Sequence, residues 1–347
     1  MQRTKLVGRI RIGALGLLAA PAILGAIACA GEAGAVGPAG PAGPPGPPGP
    51  AASAEAAASL VATGAVLDVH THLASQALTD QYAGPGLPPS TADDLVARLD
   101  EGNVQRAVVL SGGYMGWPIG LTDDHNMAPE NDFVSDEVSK YPDRLIGFCG
   151  INPLFDSAVR EVERCLELPG MVGVKIHMAG SGIDMTDPEQ VGALSAVFDA
   201  AQAHDAPMLV HVGTEYGLEI DSEGFTNFAG VVDEHPDVRI TYAHCAGPRD
   251  DQGIEAWIRN ALVTENSFVD TSACLAYFKD APMSQRELIV WRFRQWGIDR
   301  VLYGSDYLMA DPAETPQEAI DTLLQYPFTQ AELDTILGND GSAWLGR

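Results

Sequence analysis

The sequence predicts a (β/α)8 barrel, an α/β fold in which eight parallel strands alternate with helices, and three observations carry that expectation. Short β-rich apolar runs alternate with amphipathic segments eight times between residues 64 and 347, the pattern of parallel strands joined by helical crossovers. Residues able to bind a metal fall at the ends of those runs, and barrel enzymes place their chemistry at the carboxyl ends of the strands. The alternative is a doubly wound open sheet. No Gly-x-Gly-x-x-Gly turn follows the first run, as a dinucleotide-binding sheet of that kind would require.

In order, the strand-like runs are Ala65–Leu73, Arg106–Gly112, Leu145–Pro153, Met171–Met178, Pro207–Gly213, Arg239–Gly247, Ser267–Cys274 and Arg300–Leu308. Each is rich in β-branched or aromatic residues and is bounded by glycine, proline or a charged cluster. Helical periodicity fills the gaps at 92–101, 129–140, 156–167, 188–204, 224–235, 252–262 and 284–296, and two more helices, 315–325 and 330–338, follow the last strand. Trp291 and Trp296 lie in the helix before the eighth strand, where core packing explains them.

Residues 1–28 hold Arg3, Lys5, Arg9 and Arg11 without an acid, then an apolar stretch from Ile12 to Ile27 interrupted only by glycine, alanine and Pro21. This is a signal peptide pattern rather than a spanning helix. Ala26-Ile27-Ala28-Cys29 resembles a bacterial lipobox in which Cys29 carries the lipid, with Ala26 in place of the usual leucine. A plain signal peptide cleaved nearby is the alternative. Residues 29–63 read as a linker: glycine recurs at every third position from Gly31 to Gly49, with proline crowding the later triplets. Such a collagen-like stretch serves as a polyproline-type spacer or, alternatively, as a trimeric stalk. The folded domain is expected over 64–347.

The leader holds four of the 20 Lys and Arg, so 16 basic residues face 47 acidic ones after its removal, a net charge of −31. A surface this acidic repels phosphate backbones and anionic membranes, which excludes nucleic acid as a partner and leaves a lipid anchor as the route to a membrane. A hydrophobic content of 46% suffices for a sizeable core. The expected location is the cell envelope or beyond it, as a monomer or a homo-oligomer. Besides Cys29 there are Cys149, Cys165, Cys245 and Cys274, three of them inside apolar runs. They read as small buried hydrophobes and not as a disulfide framework.

His70-Thr71-His72 ends the first run, and alternation puts both imidazoles on one face of a strand, where they can share an ion. His211 ends the fifth run and supplies a third nitrogen; alone it would be a core histidine bonded to a carbonyl. His244 ends the sixth and is suited to a second metal or to orienting water and polarising substrate. Asp306, in Tyr303-Gly304-Ser305-Asp306, is either a cap for the next helix or a carboxylate ligand that also accepts a proton from water. Lys175 and His177 share a face of the fourth strand. The long segment from Gly113 to Asn131 holds Trp117 and His125, candidate substrate contacts if that loop covers a pocket.

The order His-x-His on strand one, Gly173-Val174-Lys175-Ile176-His177 on strand four, His on strands five and six, and Gly304-Ser305-Asp306-Tyr307 on strand eight resembles the amidohydrolase superfamily. The likeness extends over about residues 66–347, includes Tyr141–Phe148 and Ile336–Asn339, and points to the amidohydrolase-related branch that includes aminocarboxymuconate-semialdehyde decarboxylase. It implies a divalent ion, usually zinc, held by His70, His72, His211 and Asp306, with His244 catalytic. It also implies one ion. In binuclear relatives a strand-four lysine is carboxylated and bridges two metals, whereas in this branch Lys175 is structural or electrostatic and His177 reaches toward substrate.

Such a site hydrolyses a lactone, ester or amide of a small molecule through metal-activated water. The same site supports non-oxidative decarboxylation of an aromatic or unsaturated acid, and export favours hydrolysis. A surface lipoprotein that keeps the barrel without turnover is the reading of another class; a complete ligand set argues against it.

Overall fold

A computed structural model describes residues 66–82, 85–115, 123–212, 222–246, 263–308 and 314–347. The expected leader, Cys29, the glycine-repeat linker, Trp117 and the helix expected at 252–262 lie outside the described residues.

Eight strands form one sheet: β1 Leu67–His72, β2 Arg106–Leu110, β3 Leu145–Gly150, β4 Met171–His177, β5 Met208–His211, β6 Ile240–Tyr242, β7 Ser267–Asp270 and β8 Val301–Leu302. They pair in sequence order and every pair is parallel. The last returns to the first: Val69 N–H donates to Tyr303 O at 2.9 Å and His72 N–H to Tyr307 O at 2.8 Å. A parallel sheet closed on itself through helical crossovers is the expected (β/α)8 barrel.

The longer helices are α1 Gln76–Tyr82, α2 Ala92–Glu101, α3 Met127–Val138, α4 Ala158–Leu166, α5 Pro188–Ala203, α6 Ser222–Glu234, α7 Met283–Trp296, α8 Pro316–Leu323 and α9 Gln330–Leu337. Local chemistry sets several starts. Thr91 with Asp94, Thr315 with Glu318 and Thr329 with Glu332 form reciprocal capping boxes at α2, α8 and α9, each satisfying two otherwise orphaned backbone donors.

Two apolar layers hold the barrel. The inner one joins Leu67, Val69, Leu110, Phe148, Leu209 and Leu302 with Trp344, which sits in the terminal helical turn Ser342–Leu345. Trp344 is fully buried, packs at a tilt against Phe148 with 5.1 Å between ring centres, and donates its indole N–H to Met208 O, at the first residue of β5. It therefore closes the amino-terminal end of the barrel, opposite the strand ends that carry the histidines. The outer layer packs strand residues such as Val109, Val174 and Val210 against the helices, and Trp296 is buried in it as expected.

The cysteines depart from expectation. Cys149 on β3 bonds Cys165 on α4, and Cys245 after β6 bonds Cys274 after β7. Their separations of 16 and 29 residues are those of a strand with its own crossover helix and of two neighbouring strand ends. Closure of the barrel brings both pairs within bonding range, a proximity that the linear pattern of buried thiols does not show. The strand ends depart too. The run expected to extend to Cys274 stops at Asp270 because Ala273 takes a left-handed φ of 48°, and beyond Leu302 only the Thr71–Tyr307 bridge continues β8.

Candidate metal centre

The site begins with a slip in β1. Asp68 pairs with Ala107 but Thr71 pairs with Val109, so Val69 and His70 together face one partner residue. Such a bulge reverses the alternation of a strand and re-aims the side chains beyond it. Leu67 and Val69 consequently fill the inner core, and His70 and His72 still point inward above them, their rings 5.3 Å apart. Without the slip the strand would send either the core residues or the histidines outward.

Hydrogen bonds fix which nitrogens carry protons. His72 Nδ1 lies 3.0 Å from Leu110 O and His70 Nδ1 lies 2.8 Å from Asp270 Oδ2. A carbonyl oxygen only accepts, and so does an ionised carboxylate, so each Nδ1 donates and each Nε2 keeps a lone pair. Both Nε2 atoms face one oxygen: Asp306 Oδ1 stands 3.3 Å from His70 and 3.2 Å from His72. Asp306 itself has a left-handed φ of 59° and donates its N–H to His70 O. Gly304 makes this approach possible, since a Cβ there would lie 3.0 Å from His70 Cβ. Asp68 Oδ1 accepts the N–H groups of His70 and Ser305, which ties β1 to the Asp306 turn, and burial pushes the Asp68 carboxyl up to about 7.

Around this pair stand the other strand ends. His211 on β5 stacks on His177 of β4 at 3.7 Å between ring centres, and its Nδ1 lies 3.0 Å from His244 Nε2. His177 Nδ1 accepts the N–H of Gly180. Lys175 is buried with Nζ 3.4 Å from His70 Nε2. His244 follows β6 in a left-handed turn of three non-glycine residues, His244, Cys245 and Ala246, with φ of 56°, 58° and 60°. A left-handed turn costs about 1–2 kcal/mol per such residue, so the surroundings must hold it. Asp270 Oδ1 accepts the His244 N–H at 2.9 Å, and Ser272 meets His244 Nδ1 through its hydroxyl at 2.9 Å and its carbonyl at 3.2 Å.

Burial pushes the imidazoles of His70, His72 and His211 below the usual value of 6.5; nearby Lys175 adds to this for His70 and His177 adds to it for His211. Burial alone would raise the Asp306 carboxyl, but the facing imidazoles of His70, His244 and His72 outweigh it and hold the group below the ordinary carboxylate range. Neutral rings beside an ionised carboxylate are the protonation states a divalent cation selects.

The donor set fits a cation by its own chemistry. Asp306 Oδ1 is buried and makes no hydrogen bond, although two imidazole lone pairs face it. Neutral imidazole nitrogens converging on an ionised carboxylate are the nitrogen and oxygen donors that a divalent cation takes up. Atoms of His70, His244 and Asp306 all lie within 4.8 Å of one another, as a shared ion requires.

The sequence profile of the amidohydrolase family Amidohydro_2 matches residues 122–339. The chain belongs to this family. Family members are metal-dependent, in keeping with the donor set. The chain is 25% identical over 243 residues to 2-amino-3-carboxymuconate-6-semialdehyde decarboxylase of Dictyostelium discoideum, a match covering 62% of this chain and 65% of that relative. A probable 2-pyrone-4,6-dicarboxylic acid hydrolase from Acinetobacter baumannii, solved with citric acid bound, shares the fold at a TM-score of 0.59 and 18% identity, over 82% of this chain and 100% of that one. The 2,6-dihydroxybenzoate decarboxylase from Rhizobium does so at a TM-score of 0.56 and 18% identity, over 81% and 98%.

Of the candidate residues, the fold brings His70, His72, His211, His244, Asp306, Lys175 and His177 to one end of the barrel. His125 is exposed in the turn before α3, with its backbone N–H bonded to Asp123 Oδ1. Asp270 and Ser272 join the site without being among the residues expected there. Asp270 was detectable by the argument used for His211, because Ser267-Phe268-Val269-Asp270 ends a strand with a carboxylate on the Phe268 face. A carboxylate that receives a ligand histidine's distal N–H fixes its tautomer, and its loss weakens metal affinity about 10–100-fold. Asp270→Asn is expected to do so here with the barrel still folded, measured by chelator competition; an unchanged affinity would show that His70 needs no such support.

Proposed function

We propose that this chain is a metal-dependent hydrolase acting on a small-molecule lactone, ester or amide, with a single zinc ion held by His70, His72, His211 and Asp306. The observation that carries the proposal is the convergence of the Nε2 atoms of His70 and His72 on the buried Asp306 Oδ1, at 3.3 and 3.2 Å. When bound, a divalent cation with an open position supplies hydroxide at neutral pH and polarises the substrate carbonyl. Asp306, kept ionised, takes up the proton released from water. His244 presents its imidazole beside the reacting centre, where it stabilises developing charge or returns a proton to the leaving group. His177 and Lys175 line the same end of the barrel and are assigned to substrate contact.

Decarboxylation is the second reading, and Lys175 favours it. Its buried charge near His70 is the cationic partner that a departing carboxylate needs and that no other described residue supplies so close to the ligands. The test is elemental analysis of the purified chain, then turnover on a panel of lactones, esters, amides and aromatic acids with carbon dioxide measured separately. Stoichiometric metal with hydrolysis supports the proposal. Carbon dioxide release alone selects the second reading, and protein without metal that ignores added zinc overturns both.

The lowered imidazoles set the pH dependence. A ring that loses its proton below 6.5 is already a ligand there, so protons compete with the metal only in more acidic solution. Zinc is expected to stay bound through pH 6.5 and to leave below it; half-loss above that value, read by elemental analysis after dialysis, would contradict the assignment.

The leader, the lipobox-like Cys29 and the net charge support export as an envelope lipoprotein, and two disulfides suit an oxidising compartment. Among the described residues no helix is long and apolar enough to cross a membrane. Cys29→Ser is expected to release the protein from membranes in cell fractionation; continued membrane association would count against a lipid at this position.

A further inference from the structure

We propose that the Cys245–Cys274 disulfide is a positioning device for His244, fastening its imidazole beside the reacting centre. The inference rests on the reading of His244 as the group acting there. Cys245 is the residue next to His244, and Cys274 comes two residues after Ser272, which meets His244 Nδ1. The bond thus joins the two strand ends between which the ring is held.

The backbone shows why a fastening is needed. His244, Cys245 and Ala246 are left-handed in succession, and Ala273 on the facing turn is left-handed as well. None is glycine, so each would relax toward a right-handed or extended conformation if released. Such relaxation rotates the His244 side chain away from Ser272 and His211. Asp270 Oδ1 accepts the N–H groups of both His244 and Ser272, but hydrogen bonds alone hold the partly exposed His244 side chain, 13% accessible, less firmly than a covalent bond between the two backbones.

The second disulfide supplies the contrast. Cys149 and Cys165 are fully buried in the outer layer between β3 and α4. That bond ties a helix to the barrel wall; its sequence neighbour Gly150 pairs with Lys175 through the backbone alone, and neither half adjoins His244 or the residues that hold it.

The experiment uses the full chain as wild type, C149A/C165A and C245A/C274A, with fold checked by circular dichroism. The first readout is the rate at which diethyl pyrocarbonate modifies His244, followed by mass spectrometry of its tryptic peptide; it requires neither turnover nor bound metal. In the native arrangement both His244 nitrogens are engaged. Breaking Cys245–Cys274 is expected to raise its reactivity on the order of tenfold through local opening, whereas C149A/C165A leaves it unchanged. Should C245A/C274A fail to fold, C149A/C165A is reduced with a phosphine instead, which opens the remaining bond without substitution, and reoxidation is expected to restore slow modification.

The second readout is kinetic. On a substrate that the chain turns over, C245A/C274A is expected to lose about 10²-fold in kcat with KM little changed, the cost of a misplaced group. In a His244→Asn background the same pair of substitutions is expected to cost nothing further. His244 reactivity unmoved by either way of breaking the bond, or losses that add in the triple variant, would overturn the proposal. Absence of turnover in every variant overturns the proposed function alone, and the modification rates still decide this one.

Discussion

Asp306→Asn is expected to lower zinc affinity at least about 100-fold and any turnover by about 10³-fold, leaving the barrel folded. Asparagine is the informative choice. Asp306 sits at φ 59°, a conformation that asparagine tolerates and most residues do not, so the substitution keeps the turn and its N–H bond to His70 O. It removes the charge that faces two imidazole lone pairs and replaces half of the carboxylate with an amide that binds metal poorly. The metal-free forms of wild type and variant should melt at similar temperatures, because the carboxylate's burial cost disappears together with its attraction to the histidines. Chelator competition reads the affinity and calorimetry the melting. A variant that holds zinc as tightly as wild type would remove Asp306 from the ligand set and with it the central claim about the site.

His244→Asn is expected to lower kcat by about 10²–10⁴-fold while zinc stays bound, the loss typical of a positioned proton-transfer group. Here too asparagine suits a left-handed backbone, so the turn after β6 survives. The outcome discriminates between two assignments that the geometry permits. His244 lies with His70 and Asp306 in one 4.8 Å cluster, as a ligand would, and its Nε2 meets His211 rather than Asp306, as a group beside the ligands would. Loss of zinc equal to that in Asp306→Asn would make His244 a ligand, and the single-ion arrangement would have to be redrawn.

Much of the architecture is legible in the sequence because period-two and helical patterns are local properties. Eight runs and their order emerge from them, and so do the strand ends that carry His70, His72, His211 and Asp306. What was missed depends on contacts between distant residues. The slip in β1 comes from pairing with β2 and leaves no mark in Leu67–His72 itself. The two cystines appear only when neighbouring strands are laid side by side. His244 to Ala246 adopt a glycine-like conformation without a glycine, since Asp270, Ser272 and a sulfur bridge impose it from outside. Asp270 was overlooked for a different reason: its value lies in serving a histidine 200 positions away.

Trp344 gives the barrel an order of completion. Its indole fills the bottom of the cylinder beneath Phe148 and Leu209, so the hydrophobic centre assembled from the first seven-eighths of the chain stays open to water until this residue arrives. A ribosome emits the eight strands well before the stopper that seals them.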